Sequence, residues 1–272
     1  MQSQGAYRNI VEGSVRGPSW MRYRHLLFHL VASDLRARYR RSYLGMAWAL
    51  IWPIAFSTII ASVAIYIFNQ PLSDYVLYVI TGFTIWDVIA GCITAGTASI
   101  QQGEGYLRQT RLPYLLFPIR TTTFLSVNAI FSSIAAAGLL IVLQPDKISW
   151  TWLLWPAVLA LAWAFALPLC VLSAIANMKF RDYQHAIGLA VFLLWYLSPN
   201  IVAREVYENQ PLKQWTDLNP FASLLDIFRF VTMQSPYATW HDLVLVLGYI
   251  AVLWTLALLW LKAEGRRLIY YM

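Results

Sequence analysis

Six segments of the chain are apolar and almost free of charge over lengths that can cross a lipid bilayer. A helix needs about 20 mostly apolar residues to span the hydrocarbon layer. The segments are too long and too uniformly apolar for barrel strands, which alternate and run for about 10 residues. The sequence therefore predicts an all-α integral membrane protein with six transmembrane helices, at about residues 44–68, 75–100, 121–143, 150–178, 183–203 and 243–261.

The composition supports this class. Charged residues make up 12% of the chain, against about 25% in soluble domains. The net charge of +7 could suggest nucleic acid as a partner, but long stretches carry no charge, so no nucleic-acid partner is expected. Cys92 and Cys170 lie in apolar segments, lack the CxxC spacing of a metal or redox pair, and are expected to be buried structural thiols. His25 and His29 lack a third ligand, and no metal site is predicted.

The distribution of Lys and Arg predicts the orientation. Sixteen of the 20 basic residues fall in the N-terminal segment, the second and fourth connections and the C-terminal tail. Cytoplasmic connections are enriched in Lys and Arg, so both termini are expected in the cytoplasm. Residues 1–43 form a cytoplasmic segment, residues 44–261 the membrane domain, and residues 262–272 a second cytoplasmic tail.

Two further segments are predicted to be helical without spanning the membrane. In Trp20–Arg41, apolar residues recur at helical spacing opposite a basic stripe, which is typical of an amphipathic helix at the membrane interface. In the external segment 204–242, Asn219 is a predicted helix cap with Pro220 in the first turn. A helix break at Ser198–Asn200 precedes it. This pattern predicts re-entrant or short helices over the outer mouth, with an ordinary external loop as the alternative.

The chain shows no motif for covalent chemistry. It has no phosphate-binding loop and no paired carboxylates within the spans. We therefore expect a transport subunit rather than an enzyme, with energy supplied by another subunit. Asp87 lies inside a span, where an ionisable group suggests a functional site; a helix–helix contact is the alternative.

Aromatic residues are abundant within the spans. Trp48, Trp52 and Phe56 share one helix face, and the fifth span carries a second group, Phe192, Trp195 and Tyr196. Such faces allow a sugar chain to slide without tight hydrogen bonds. Packing and lipid contact are the alternatives.

Four motifs, in order along the chain, resemble one family. They are DLRARYRRSYLG at 34–45 followed by Trp48 and Pro53, YLRQTRLP at 106–113, FRD at 180–182 with LSP at 197–199, and NPF at 219–221 with Arg229. On these motifs the chain resembles the membrane subunits of polysaccharide-exporting ABC transporters, the O-antigen, capsule and teichoic-acid group. One departure is Asn200-Ile-Val-Ala203, where family members often carry an aliphatic residue and a tyrosine.

The resemblance implies a homodimeric permease that works with two copies of an ABC ATPase subunit. ATP and Mg²⁺ would bind to that partner, and no cofactor is expected on this chain. The implied substrate is a lipid-linked polysaccharide crossing the bacterial inner membrane, of the O-antigen type. Alternatives are a capsular or teichoic-acid exporter, a drug or lipid exporter of the same architecture, and a multispan glycosyl or acyl transferase.

The resemblance also suggests roles for individual residues. The lipid pyrophosphate is expected at Arg38, Arg40 and Arg41, with simple membrane anchoring as the alternative. The remaining roles are a glycan channel at Trp48, Trp52, Phe56, Asp87, Phe192, Trp195 and Tyr196, ATPase coupling at Gln101, Glu104, Tyr106, Arg108 and Arg111, and an external gate at Asn219, Asp226 and Arg229. For Asp226 and Arg229 the alternative is an ordinary helical pair at a surface.

Overall fold

The computed structural model describes residues 20–40, 42–68, 71–110, 112–208 and 213–264, without the side chains of residues 20–22, 68, 108 and 208. Within these ranges the chain forms helices joined by turns, and no strand is present. The predicted all-α integral membrane fold is confirmed. Arg41 and Arg111 lie outside the described residues, as does the side chain of Arg108, so their predicted roles stay predictions.

The α-helices are numbered here in chain order. They are α1 (Trp20–Tyr39), α2 (Trp48–Phe68), α3 (Leu72–Thr94), α4 (Glu104–Gln109), α5 (Leu116–Leu143), α6 (Trp155–Lys179), α7 (Tyr183–Leu197), α8 (Arg204–Glu208), α9 (Lys213–Leu218), α10 (Pro220–Met233) and α11 (Trp240–Glu264).

Five described segments are long and apolar enough to cross a membrane, and each overlaps a predicted span. They are Gly45–Ile67, Leu72–Ala98, Leu116–Leu143, Trp150–Lys179 and Trp240–Glu264. Several extend past the predicted boundary, because a helix continues through polar residues that find partners at its ends. Arg120, for example, lies inside α5, and Glu264 at the end of α11 accepts a 2.8 Å hydrogen bond from Lys179.

The fifth predicted span differs from the others. Helix α7 has 15 residues and measures about 22 Å at 1.5 Å per residue, less than the roughly 30 Å of bilayer hydrocarbon. It ends at Leu197, and residues 198–200 form the predicted break. The count of six spans therefore stays a prediction.

Helix α3 occupies the centre of the fold. It packs against α2, α5, α6, α7 and α10, and Leu77, Ile80, Ile85 and Ile89 along it are fully buried. By contrast, α2 and α11 keep most of their apolar side chains on the surface. The polar sites described below are therefore arranged around the buried helix α3.

Helix α1 is fixed to α5 by polar and apolar contacts. The Nε atom of Arg120 donates a 2.6 Å hydrogen bond to Asp34, and the two side chains form an ion pair. Nearer the end of α1, the Tyr39 hydroxyl donates to the Asn128 amide oxygen at 2.9 Å. Leu30 packs with Phe117 in a shared apolar cluster. The basic side chains Arg24 and Arg36 are exposed, in agreement with the predicted amphipathic interface helix.

We expect Arg120→Gln to loosen α1 from α5. The ion pair is mostly shielded from solvent, so its loss should cost about 1–2 kcal/mol, between the values for exposed and buried pairs. The measurement is the thiol-labelling rate of a cysteine introduced by Leu30→Cys, which should rise in the variant. Arg24→Gln, on the exposed face of α1, should leave the rate unchanged. Equal rates in both variants would show that the ion pair does not hold the helix.

Candidate functional site

One cavity brings together four of the side chains selected from the sequence. It has a volume of about 220 Å³, and its lining includes Arg38, Trp48, Trp52 and Asp87. These residues come from the end of α1, the start of α2 and the middle of α3. We call it the Asp87 cavity. It combines four aromatic side chains, Tyr39, Trp48, Trp52 and Phe83, with one cation and one carboxylate, a set that suits a ligand with both phosphate and sugar groups.

Two hydrogen bonds fix the polar wall of the Asp87 cavity. Asn128 and Tyr39 both line it. The Asn128 amide nitrogen donates to the Phe124 carbonyl at 2.9 Å, while its oxygen accepts from Tyr39. The Arg38 guanidinium carbon lies 5.6 Å from the centre of the Phe124 ring. The last turn of α1 is thereby held against α5, and Arg38 remains exposed at the edge of the cavity.

A continuous group of aromatic rings leads away from the Asp87 cavity. Ring centres lie 6.4 Å apart for Trp52 and Phe56, 4.9 Å for Phe56 and Phe83, and 6.3 Å for Phe56 and Trp195. Trp86 continues the group, 5.4 Å from Trp195. We call these five rings the aromatic track. It unites predicted channel residues from two separate segments of the sequence, α2 and α7.

Three other predicted residues lie apart from this arrangement. The rings of Phe192 and Tyr196 pack edge to face with their centres 5.2 Å apart, and both are exposed on the surface of α7. They therefore do not extend the aromatic track. Arg40 is exposed just past the end of α1.

The predicted coupling segment is a short turn followed by α4. Gln101 lies in the turn and is exposed, Glu104 begins α4, and the Tyr106 side chain is 46% exposed. Gly103 packs directly on the Phe117 ring, so a Cβ atom added at Gly103 would lie only 2.4–2.5 Å from three ring atoms. Phe117 shares its apolar cluster with Leu30 of α1. The coupling segment therefore packs on the same apolar cluster as helix α1.

The predicted external gate residues lie at the other end of the bundle and are buried. Asn219 caps α10 as predicted: its side-chain oxygen accepts from the Phe221 amide at 3.0 Å. Its amide nitrogen donates to Ser198 in the break after α7 at 3.1 Å. Asn219 therefore ties the start of α10 to that break.

Arg229 holds α10 against α3 and the same break. Its Nη1 donates to the Pro199 carbonyl at 2.6 Å and its Nη2 to the Tyr78 carbonyl at 3.1 Å. The guanidinium lies 3.5 Å above the centre of the Tyr78 ring. Gly82 leaves room for it, since a Cβ there would lie 2.7 Å from Nη2. Carbonyls freed by a helix break need such partners in an apolar layer.

Asp226 is as buried as Arg229, with 1% of each side chain exposed. An oxygen of Asp226 lies 3.2 Å from Arg204, which also forms a 2.6 Å ion pair with Asp217. Asp226 and Arg229 therefore do not lie at a surface, as the alternative of a surface pair required. Nearby, the Tyr207 hydroxyl donates to the Tyr196 carbonyl at 3.0 Å. Burial raises the pKa of Tyr207 despite the opposing effect of Arg229, so the hydroxyl stays a neutral donor.

Several residues at these sites were missed in the sequence. Phe83 and Trp86 lie one turn before and next to Asp87 on α3, and that proximity was an available signal. Arg204 had no predicted role in the site, although it forms two ion pairs. Asn128 and Gln144 had no distinctive sequence context. Their roles depend on contacts between distant segments.

The helices and their composition define a multi-pass membrane protein. No protein-family model matches the chain. Individual curated proteins are similar to it. The chain is 25% identical over 213 residues to the O-antigen export system permease protein RfbA of Myxococcus xanthus, covering 77% of this chain and 80% of that protein. It is 22% identical over 218 residues to a protein of the same name from Klebsiella pneumoniae, covering 78% and 83%. The resemblance drawn from the four motifs is confirmed by these similarities.

Proposed function

We propose that this chain is the membrane subunit of an ABC exporter that moves a lipid-linked polysaccharide of the O-antigen type across the bacterial inner membrane. Two copies would form the pathway, and two copies of a separate ATPase subunit would bind at the cytoplasmic face. Both termini lie in the cytoplasm in this arrangement. The names of the similar proteins support export of O-antigen, and the basic connections support the orientation.

The observation that carries the proposal is the position of the Asp87 cavity. It lies between the basic end of α1 and the aromatic track. A lipid-linked glycan has the same order of groups, with a pyrophosphate between the lipid and the sugars. Arg38 would bind phosphate oxygens through its guanidinium fork. Trp48 and Trp52 would contact the apolar faces of the first sugars.

The chain moves its substrate without forming or breaking covalent bonds in this mechanism. The glycan would follow the aromatic track, where ring faces provide contact area but few fixed hydrogen bonds. ATP-driven closure of the partner subunits would displace the coupling segment at Gln101, Glu104 and Tyr106. That displacement would reach α1 through the apolar cluster around Phe117, a rigid-body transmission. At the opposite end, movement of α10 would open the exit.

We expect the double variant Arg38→Gln/Arg40→Gln to lower export at least about tenfold, because charge-assisted hydrogen bonds to phosphate contribute about 1.5–3 kcal/mol each. The measurement is surface glycan in cells that depend on this exporter. The matched control is Arg24→Gln/Arg36→Gln, which removes the same charge from the exposed face of the same helix. The control should export within about twofold of wild type.

Topology and assembly must be checked in both double variants, by cysteine labelling and co-purification with the ATPase. An equal fall in export in the two variants would mean that the arginines only anchor the membrane domain. That result would overturn the proposed phosphate site.

A further inference from the structure

A second cavity lies at the end of the bundle opposite α1. It has a volume of about 290 Å³ and is lined by Asp74, Tyr78, Gln144, Arg204, Arg229 and Tyr237, among others. Asp74 is in the first turn of α3 and Gln144 follows the end of α5. The other end of α5 holds α1 through Arg120, so the two cavities are separated by the length of the bundle. We call it the Arg229 cavity.

The polar side chains of the Arg229 cavity are held in place before any ligand binds. The Asp74 carboxylate accepts from the Ser73 hydroxyl at 3.1 Å and from the Gln144 amide nitrogen. Arg229 is fixed by two backbone carbonyls and the Tyr78 ring. Polar groups that are already fixed lose little conformational entropy when a ligand binds.

Two buried polar atoms of the lining have no hydrogen-bond partner within the described part of the chain. They are the Oε1 acceptor of Gln144 and the Nε donor of Arg229. Buried polar atoms are nearly always hydrogen-bonded, so each of these atoms can bind a polar group of a ligand. A ligand would donate to the Gln144 oxygen and accept from the Arg229 nitrogen. Sugar hydroxyls do both, whereas a phosphodiester only accepts and a metal cation binds only the acceptor.

The charges of the lining also disfavour an ionic ligand. Three carboxylates face the cavity together with three basic side chains, so the formal charges cancel. Tyr75 and Tyr237 add aromatic surface beside the polar groups. Carboxylate, amide and tyrosine side chains together suit the hydroxyls and C–H faces of a neutral sugar.

We propose that the Arg229 cavity binds one neutral hexose unit. Its volume is near the lower end for small-molecule pockets, about 300 Å³, which fits a single sugar residue rather than an oligosaccharide. Only the statement that this hexose belongs to the exported glycan rests on the proposed function. In that case the cavity retains the exported glycan at the exit side of the protein, away from the aromatic track.

The test is saturation-transfer NMR on the full chain in nanodiscs, without an ATPase, using the methyl glycosides of glucose, galactose and mannose. At least one glycoside should bind with a millimolar Kd. Gln144→Met, which keeps the side-chain volume but removes the acceptor, should weaken binding about tenfold, as expected for one lost hydrogen bond. Gln184→Met, at the far end of α7, should bind like wild type.

Ala203→Leu provides a second variant in case Gln144→Met disturbs folding, because it fills the cavity from a different segment. It should abolish binding while the unfolding temperature stays near that of wild type. The inference is overturned if no glycoside binds, if folded variants bind like wild type, or if inorganic phosphate or Ca²⁺ competes for the site. Export is measured separately, so normal export without hexose binding would refute this inference and leave the proposed function standing.

Discussion

Gly103→Ala is expected to reduce export at least about tenfold, with little loss of the folded protein. The new Cβ would lie 2.4–2.5 Å from the Phe117 ring, and this ring is only 1% exposed, so it cannot move into solvent. Overpacking of this kind costs about 1–3 kcal/mol. We expect the strain to lift the coupling segment, which would displace Glu104 and Tyr106 from the proposed contact with the ATPase. The measurement is ATP-dependent export alongside ATP hydrolysis by the partner, which should continue without transport.

Gly105→Ala is the matched control, two residues further along. A Cβ there meets no atom within 4 Å, and alanine favours the helix α4 over glycine by about 1 kcal/mol. Export should therefore stay normal. Adding Phe117→Leu to Gly103→Ala should restore part of the export, because it removes the overlapping ring atoms. Normal export by Gly103→Ala alone would contradict the coupling role of this segment.

Arg229→Met is expected to give the largest loss of stability among single substitutions, about 3 kcal/mol or more, since hydrogen bonds from a buried charged group contribute about 1.5–3 kcal/mol each. The variant loses two hydrogen bonds to backbone carbonyls and the contact with Tyr78. It also leaves Asp226 with less positive charge nearby. The measurement is the free energy of unfolding in mixed detergent and SDS micelles.

Two comparisons make the Arg229 result specific. Arg36→Met removes an exposed arginine and should change stability by less than about 0.5 kcal/mol. Gly82→Ala keeps the charge but places a Cβ 2.7 Å from Nη2 of Arg229, so it should destabilise by about 1–2 kcal/mol. If Arg229→Met matched Arg36→Met in stability, the break after α7 would be held by other contacts.

Much of the fold could be predicted from the sequence because apolar length is a strong signal in a membrane. Five predicted spans coincide with long helices. Their boundaries were less certain, since hydropathy cannot show that Arg120 finds Asp34 and so remains within α5. The break at Ser198–Asn200 was predicted, but the run from Tyr183 to Ala203 was expected to span the membrane, and α7 has only 15 residues. The sequence could not show that Tyr78 and Arg229 both donate hydrogen bonds to the Pro199 carbonyl in this break.

The sites were predictable only where the signal was local. The Asn219 cap depends on its immediate neighbours and is confirmed. Arg38 was predicted to bind the lipid pyrophosphate, and Trp52 and Asp87 to line the glycan channel. Their meeting in one cavity depends on the packing of α1 on α5 and of α2 on α3. The partners of Gln144 and Arg204 come from segments far away in sequence, and one sequence gives no information on such pairings.

The most direct test of the central claim is translocation in proteoliposomes that contain this chain, its ATPase partner and a lipid-linked glycan. We predict that ATP hydrolysis moves the glycan across the bilayer only when both subunits are present, and that Arg38→Gln/Arg40→Gln slows this movement while Arg24→Gln/Arg36→Gln does not. Glycan movement that needs neither ATP nor the partner, or no glycan movement while a sugar-free lipid is transported, would contradict the account.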